Sequence, residues 1–172
     1  LVGGEGNDDL DGGAGADTYL VDRLGFGNFD SMSLGTGDQV LLDSDVFDGM
    51  AAINSAYKGG SPSTLDLFLG DTNLFIITGE DYNNVQDVYD NFFTDGLGIS
   101  VDDVVNHPIL FVYFDDDGFG EDTALLYYVD QTESWSGSVG DGANDARLVA
   151  QFDNITSAAQ MNDLTADQFG FY

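Results

Sequence analysis

The feature that most restricts how this chain can fold is a doubled nine-residue pattern spanning Gly3 to Leu20. It runs GGEGNDDLD and then, without a gap, GGAGADTYL. Both copies fit G-G-x-G-x-D-x-U-x, where U is a large apolar residue. Gly3, Gly4, Gly6, Gly12, Gly13 and Gly15 permit positive φ angles, which can turn successive carbonyls into one concavity. Asp8 and Asp17 hold the sixth positions and close each turn with a carboxylate. Leu10 and Tyr19 hold the eighth and point a short strand's side chain inward. A nonapeptide cannot bury that side chain alone, so successive turns must stack.

Carbonyls and carboxylates together suit calcium, a hard cation that takes six to eight oxygens at about 2.3–2.6 Å. The candidate metal ligands in the repeats are Gly4, Gly6, Asp8, Asp11, Gly13, Gly15 and Asp17. Val21 and Asp22 continue the second strand, and Asp22 is placed to complete a neighbouring site. A flexible Gly/Asp linker is the plainer alternative, but two abutting matches with every key position filled argue against it. The pattern then decays. Gly25 to Ser33 keeps the first glycine, Asp30 and Met32; Leu34 to Leu42 keeps a Gly35/Gly37/Asp38 turn with Val40 and Leu42 on one face. These are expected to be capping turns of a solenoid, whose terminal repeats are atypical. Asp38 is retained as a candidate ligand.

The doubled repeat resembles the repeats-in-toxin (RTX) family of secreted bacterial proteins. The resemblance implies a parallel β-roll with ions held between stacked turns, so that one turn never supplies a complete site. Strong similarity covers Gly3–Leu42 and Leu110–Tyr172. In the second stretch, LFVYFDDDGFGEDTALLYYVD looks like the family's penultimate hairpin. Leu164, Thr165, Ala166, Asp167 and Phe169 resemble the family's ending, except that Gln168 intervenes between acid and aromatic. The resemblance implies type I secretion, with the C-terminal residues as the signal. Leu1 enters directly ahead of Gly3-Gly4, so a longer parent with further repeats upstream is expected.

Charge sharpens this reading. The chain carries 32 acidic residues against Arg23, Lys58 and Arg147, a net charge of −29. That balance repels nucleic acid and anionic membrane surfaces and opposes compaction unless cations neutralise it. Only Glu5, Glu80, Glu121 and Glu133 are glutamate; the others are aspartate, which favours turns and short-reach ligation. A hydrophobic content of 42% excludes a disordered acidic tail. Cysteine is absent, so there is no disulfide framework and no thiolate site. No apolar run approaches the length of a membrane span.

Beyond the repeats, Asp43–Tyr57 has the spacing of a short helix, capped by Ser44 or Asp45, with Val46, Phe47, Met50 and Ile53 inward. Asp43, Asp45 and Asp48 are expected to serve as its N-cap and dipole partners. Residues 58–63 form a loop, and Leu65–Leu69 and Leu74–Thr78 a hairpin. Asn83–Phe93 is helical in spacing, and Ser100–Asp103 resembles a capping box. Ile109–Phe114 and Ala124–Val129 are the strongest strands, Arg147–Phe152 another, and Ile155–Met161 a helical turn.

Asp115 and Asp117 in the Asp115–Asp122 turn are further candidate calcium ligands, weighed against a solvated acidic turn. This is no EF-hand, because Phe119 stands at position 5 and Leu126 at position 12. Gly140–Asp145 is a weaker candidate. His107, the lone histidine, lacks partners for a zinc site, and no G-x-S-x-G elbow accompanies it. Nothing singles out a carboxylate pair for glycoside hydrolysis. Trp135, in a Ser/Gly loop, is the one aromatic considered for ligand contact, although burial is the plainer expectation.

The expected fold is mainly β: a β-roll end over residues 1–43, packed on a β-rich capping domain over 44–172 with a few short helices. The expected function is calcium-dependent folding of a non-catalytic module, secreted or at the cell surface. Its partners would be calcium ions, upstream repeats, and a second copy or a cell-surface ligand. Two other classes fit the same sequence: a calcium-bridged surface-assembling protein (S-layer or adhesin), and the C-terminal part of a secreted hydrolase or epimerase with its active site upstream.

Overall fold

The structure, a computed structural model, describes residues 1–23, 29–47, 50, 52–54, 56–59, 72–82, 109–115, 122–129 and 146–172. It is mainly β, as expected, with its strands in two sheets. Four short strands come first: β1 (Asp9–Asp11), β2 (Thr18–Val21), β3 (Asp30–Ser33) and β4 (Gln39–Leu42). They alternate between the sheets. β1 pairs with β3 in parallel in one sheet, and β2 with β4 in parallel in the other. Val2 bridges Leu20 on the remaining side of β2. Each repeat thus contributes a single strand, and successive repeats alternate between the two sheets. Its eighth-position residue faces inward: Leu10, Tyr19 and Met32 are buried, as are Val40 and Leu42.

The remaining strands among the described residues are β5 (Ala56–Gly59), β6 (Leu74–Tyr82), β7 (Ile109–Asp115), β8 (Thr123–Val129), β9 (Ala146–Phe152) and β10 (Phe169–Phe171). The larger sheet runs β1-β3-β9-β8-β7-β6-β5 and the smaller β10-β4-β2. β9 is parallel to β3 on one side and antiparallel to β8 on the other. β10 is parallel to β4. The segment from β9 to β10 therefore adds one more layer to each sheet beneath the repeats. Both sheets run across the expected boundary at 43/44, and their buried side chains form one core.

Leu74, Ile76, Val112, Phe114, Ala124, Leu126 and Tyr128 face that core. Phe75, Ile77, Tyr113 and Leu125, on the opposite face, are buried as well. Burial on both faces explains why these strands are near-continuous apolar runs rather than alternating ones. The expected strands over Ile109–Phe114, Ala124–Val129 and Arg147–Phe152 are all present, and β7 and β8 pair antiparallel.

Three local expectations are corrected. First, no helix forms among the described residues of Asp43–Tyr57. The Asp43 carboxylate accepts the Asp45 N–H at 2.9 Å, closing a turn, and Asp43 O accepts Val46 and Phe47 N–H at 3.0 Å each. Further on, buried Asn73 takes the Asn54 N–H at 3.0 Å and donates to Ala52 O at 2.8 Å, holding that backbone away from helical pairing. Phe47 and Met50 are buried as expected. Second, Lys58 and Gly59 belong to β5 rather than to a loop. Third, β6 has β5 on one side and β7 on the other, both parallel, so over Leu74–Ile76 no edge is open to an antiparallel hairpin partner. The expected helical turn near Ile155–Met161 is a 3-10 helix at Ala158–Asp163. Residues 60–71, 83–108, 116–121 and 130–145, with the other features expected there, lie outside the described residues.

Candidate metal centre

The glycines of each repeat divide into two roles. Gly4 and Gly6 have φ of 88° and 115°, and Gly13 and Gly15 have 79° and 137°, so the second and fourth positions supply the left-handed backbone. Gly3 and Gly12 do not. A Cβ on Gly12 would lie 2.6 Å from Asp17 Cβ and 2.7 Å from its Oδ2, and one on Gly3 would collide with the Asp30 carboxylate. The first glycine makes room for a carboxylate, a role that φ-based reasoning does not supply.

The carboxylates stack in two columns. Asp8 N–H donates to Asp30 Oδ1 at 3.1 Å, and Asp17 N–H donates to Asp38 Oδ1 at 2.9 Å. Each lower aspartate thus holds the amide of the one above. Asp38 is almost fully buried, and its Oδ2 also accepts Gly35 N–H at 2.7 Å. By contrast, Asp8 Oδ2 and Asp17 Oδ2 are buried and have no hydrogen-bond partner. Leaving a buried acceptor unsatisfied costs about 1–3 kcal/mol, more for a charged group. Burial pushes the Asp30 carboxyl above the usual carboxylate value. The Asp8 amide and, more weakly, Arg23 oppose that shift, while the Asp8 carboxylate and, more weakly, Asp22 reinforce it.

The other expected ligands are placed as follows. Asp11 is exposed, and its Oδ1 accepts Gly13 N–H at 2.9 Å, an Asx-type closure of its own turn. Asp22 pairs with Arg23 at 3.3 Å, each side chain 38% exposed, a contact that adds little stability. Asp115 ends β7 opposite Thr123, and Asp117 lies outside the described residues. Among the described residues, no three or more His, Asp or Glu side chains gather closely enough to hold a metal. Any ion at these turns would therefore rest on two carboxylates, Asp8 with Asp30 or Asp17 with Asp38, supplemented by backbone carbonyls. The donor set is all oxygen, and its two orphaned carboxylate oxygens fit calcium.

Tyr19 braces the second turn from inside. Its hydroxyl accepts Gly12 N–H at 3.1 Å and donates to Ser33 O at 2.6 Å, joining the start of the turn to the end of β3. Burial pushes its phenol above the usual value; the Gly12 amide opposes this, and the carboxylates of Asp38, Asp17 and Asp11 reinforce it. A raised value in the folded state gives stability that is complete below about pH 10 and is lost as pH rises through that value. Tyr19→Phe is expected to lose about 1–3 kcal/mol at neutral pH by orphaning two backbone groups. Urea unfolding of this variant should also weaken less than wild type between neutral and strongly alkaline pH.

Sequence reasoning missed the underside of the column. Asn154 Oδ1 accepts Leu34 N–H at 3.0 Å, and its Nδ2 donates to Leu34 O at 2.7 Å, as a paired strand would. Gln168 Nε2 donates to Gly35 O at 3.3 Å. Only the position of Gln168, interrupting the RTX-like ending, marked it in the sequence. A cavity of about 530 Å³ lies between the Gly35–Asp38 turn and the segment carrying Asn154, Asp163, Asp167 and Gln168. No helix among the described residues is long and apolar enough to cross a membrane. No protein-family model matches the chain, and neither the curated proteins nor the solved structures contain a match.

Proposed function

We propose that this chain is a calcium-binding, non-catalytic module of an RTX-like secreted protein, and that residues 1–43 are the end of a β-roll that folds with its ions. The carrying observation is the pair of buried, unpartnered oxygens, Asp8 Oδ2 and Asp17 Oδ2, inside turns whose glycines make room for carboxylates. Calcium bound there would supply positive charge to carboxylates that the fold otherwise buries at a cost. The chain's own part is to set the turns. Gly4, Gly6, Gly13 and Gly15 aim the backbone, Asp30 and Asp38 hold the amides of Asp8 and Asp17, and Tyr19 ties Gly12 to β3.

The biological reading follows from charge. With a net charge of −29, the chain repels itself where calcium is scarce. It closes where calcium is abundant, outside the cell, which also fits export of an unfolded chain.

The test titrates calcium into chelator-treated protein while following far-UV circular dichroism and hydrodynamic radius, with magnesium as control. Compaction with a growing β signal under calcium alone is expected, and Asp17→Asn should require more calcium for the same change. A chelated chain already compact and indifferent to calcium would sink the proposal. Growth into larger species would move the reading to a calcium-bridged surface assembly.

A further inference from the structure

We propose, independently of the calcium reading, that the outer face of the smaller sheet is a docking surface for a basic amphipathic helix of a partner protein.

Strand alternation sorts the side chains of β2, β4 and β10. Tyr19, Val21, Val40, Leu42 and Phe169 point into the core, so Leu20, Leu41 and Gly170 point out. Pairing sets these three in one row, with Leu20 beside Leu41 and Leu41 beside Gly170. The bridge from Val2 to Leu20 extends the row by one residue. Val2 is 50% exposed, and Leu20 and Leu41 are half-buried. At the far end, a Cβ on Gly170 would lie 3.1 Å from Leu41 Cδ2, so Leu41 leans over the bare glycine. Three strand spacings make the apolar row about 14 Å long, the length of about nine or ten helical residues.

A second row runs beside the first, two residues further along each strand. Asp43 N–H donates to Val21 O at 2.9 Å and Tyr172 N–H to Leu42 O at 3.1 Å, which brings Asp22, Asp43 and Tyr172 abreast. Burial first, then the carboxylates of Asp43 and Asp22, push the Tyr172 phenol above its usual value, as expected of three neighbours on one side. Asp22 gives one carboxylate oxygen to Arg23, and Asp43 gives one to the Asp45 N–H.

An apolar row flanked by an acidic one selects its occupant by charge. A second copy of this chain would bring a net charge of −29 against an equal one, and an anionic membrane is repelled as well. A helix with apolar residues at i, i+3, i+4 and i+7 and lysine or arginine along one flank matches both rows. Tyr172, 49% exposed, adds an aromatic ring for a cation.

The test uses the full chain in calcium-containing buffer at about 0.15 M salt, where weak long-range attraction is screened. The probe is a synthetic helical peptide of leucine and lysine in that spacing, titrated into methyl-labelled protein and followed by NMR. The methyl signals of Val2, Leu20 and Leu41 are expected to shift, while those of Val112 and Leu126 in the core stay still. Leu41→Thr, which suits a strand but shortens the apolar row, should bind the peptide about tenfold more weakly. A peptide with glutamine in place of lysine should lose about tenfold or more on wild type. Absence of binding overturns the proposal, and so does binding that leaves the three methyl groups unmoved. Equal affinity for Leu41→Thr, or for the glutamine peptide, overturns it too. Should Leu41→Thr fail to fold, the wild-type methyl signals decide alone. Vesicles of phosphatidylcholine are the last arm: shifts of the same methyl groups with vesicles but not with the peptide overturn the helix and assign the face to a lipid surface.

Discussion

At free calcium about 100 times its Kd, the unfolding free energy is expected to exceed that of the chelated chain by about 5 kcal/mol. Each site would contribute about 2.7 kcal/mol under that condition, and the proposal places one site at each orphaned oxygen, at Asp8 and at Asp17. A whole domain is stable by only about 5–15 kcal/mol, so this shift separates a firmly folded chain from a marginal one. Urea unfolding with and without calcium measures it, and the shift should persist in moderate salt. Screening by about 0.1 M salt acts over roughly 10 Å and relieves general repulsion, but it does not place a cation against a buried oxygen. A sodium-induced gain as large as the calcium-induced one would mean that repulsion alone is being relieved.

Asp38→Ala is expected to be the most damaging carboxylate removal in the repeats, at about 2–6 kcal/mol. The Asp38 carboxylate is almost wholly buried and accepts two backbone amides, from Asp17 and Gly35. Its removal orphans both donors, at about 1–3 kcal/mol each. The loss should appear in chelated protein as well, because it concerns amides rather than ions. Calcium affinity should fall too, since the Asp17 backbone would no longer be held. Asp9→Ala, on the exposed face of β1, should stay within about 0.5 kcal/mol of wild type. Thermal unfolding of the three proteins side by side reads the difference.

Much of the repeat region could be read from local pattern. The nine-residue period placed Leu10, Tyr19 and Met32 inside, and the Gly35/Gly37/Asp38 turn followed by Val40 and Leu42 is present. The strongest apolar runs became β7, β8 and β9 for the same reason. Partner choice was not legible. Nothing local to Ala146–Phe152 says that it lies between β3 and β8, parallel to one and antiparallel to the other. The helix expected over Asp43–Tyr57 had correct apolar spacing, but backbone groups at Ala52 and Asn54 were claimed by an asparagine well after it. In the candidate site, Asp8 and Asp17 were visible because the period marks them. Their supports were less so: Asp30 sits in a degraded repeat, and Gln168 interacts with Gly35 at a separation of 133 residues.

The interleaved order of the larger sheet has a consequence for the time course of folding. β3 cannot gain its second neighbour, nor β8 close its own ladder, until β9 is available. β4 waits longer still for β10, and Gln39 for Asp167, 128 residues away. Contacts of such range form late and slowly, because loop-closure entropy is spent before they contribute. In a chain still being synthesised, any edge that β3, β4 or β8 offers therefore lacks its partner from β9 or β10. Such edges invite association between chains, and a high density of like charge keeps those chains apart during the wait.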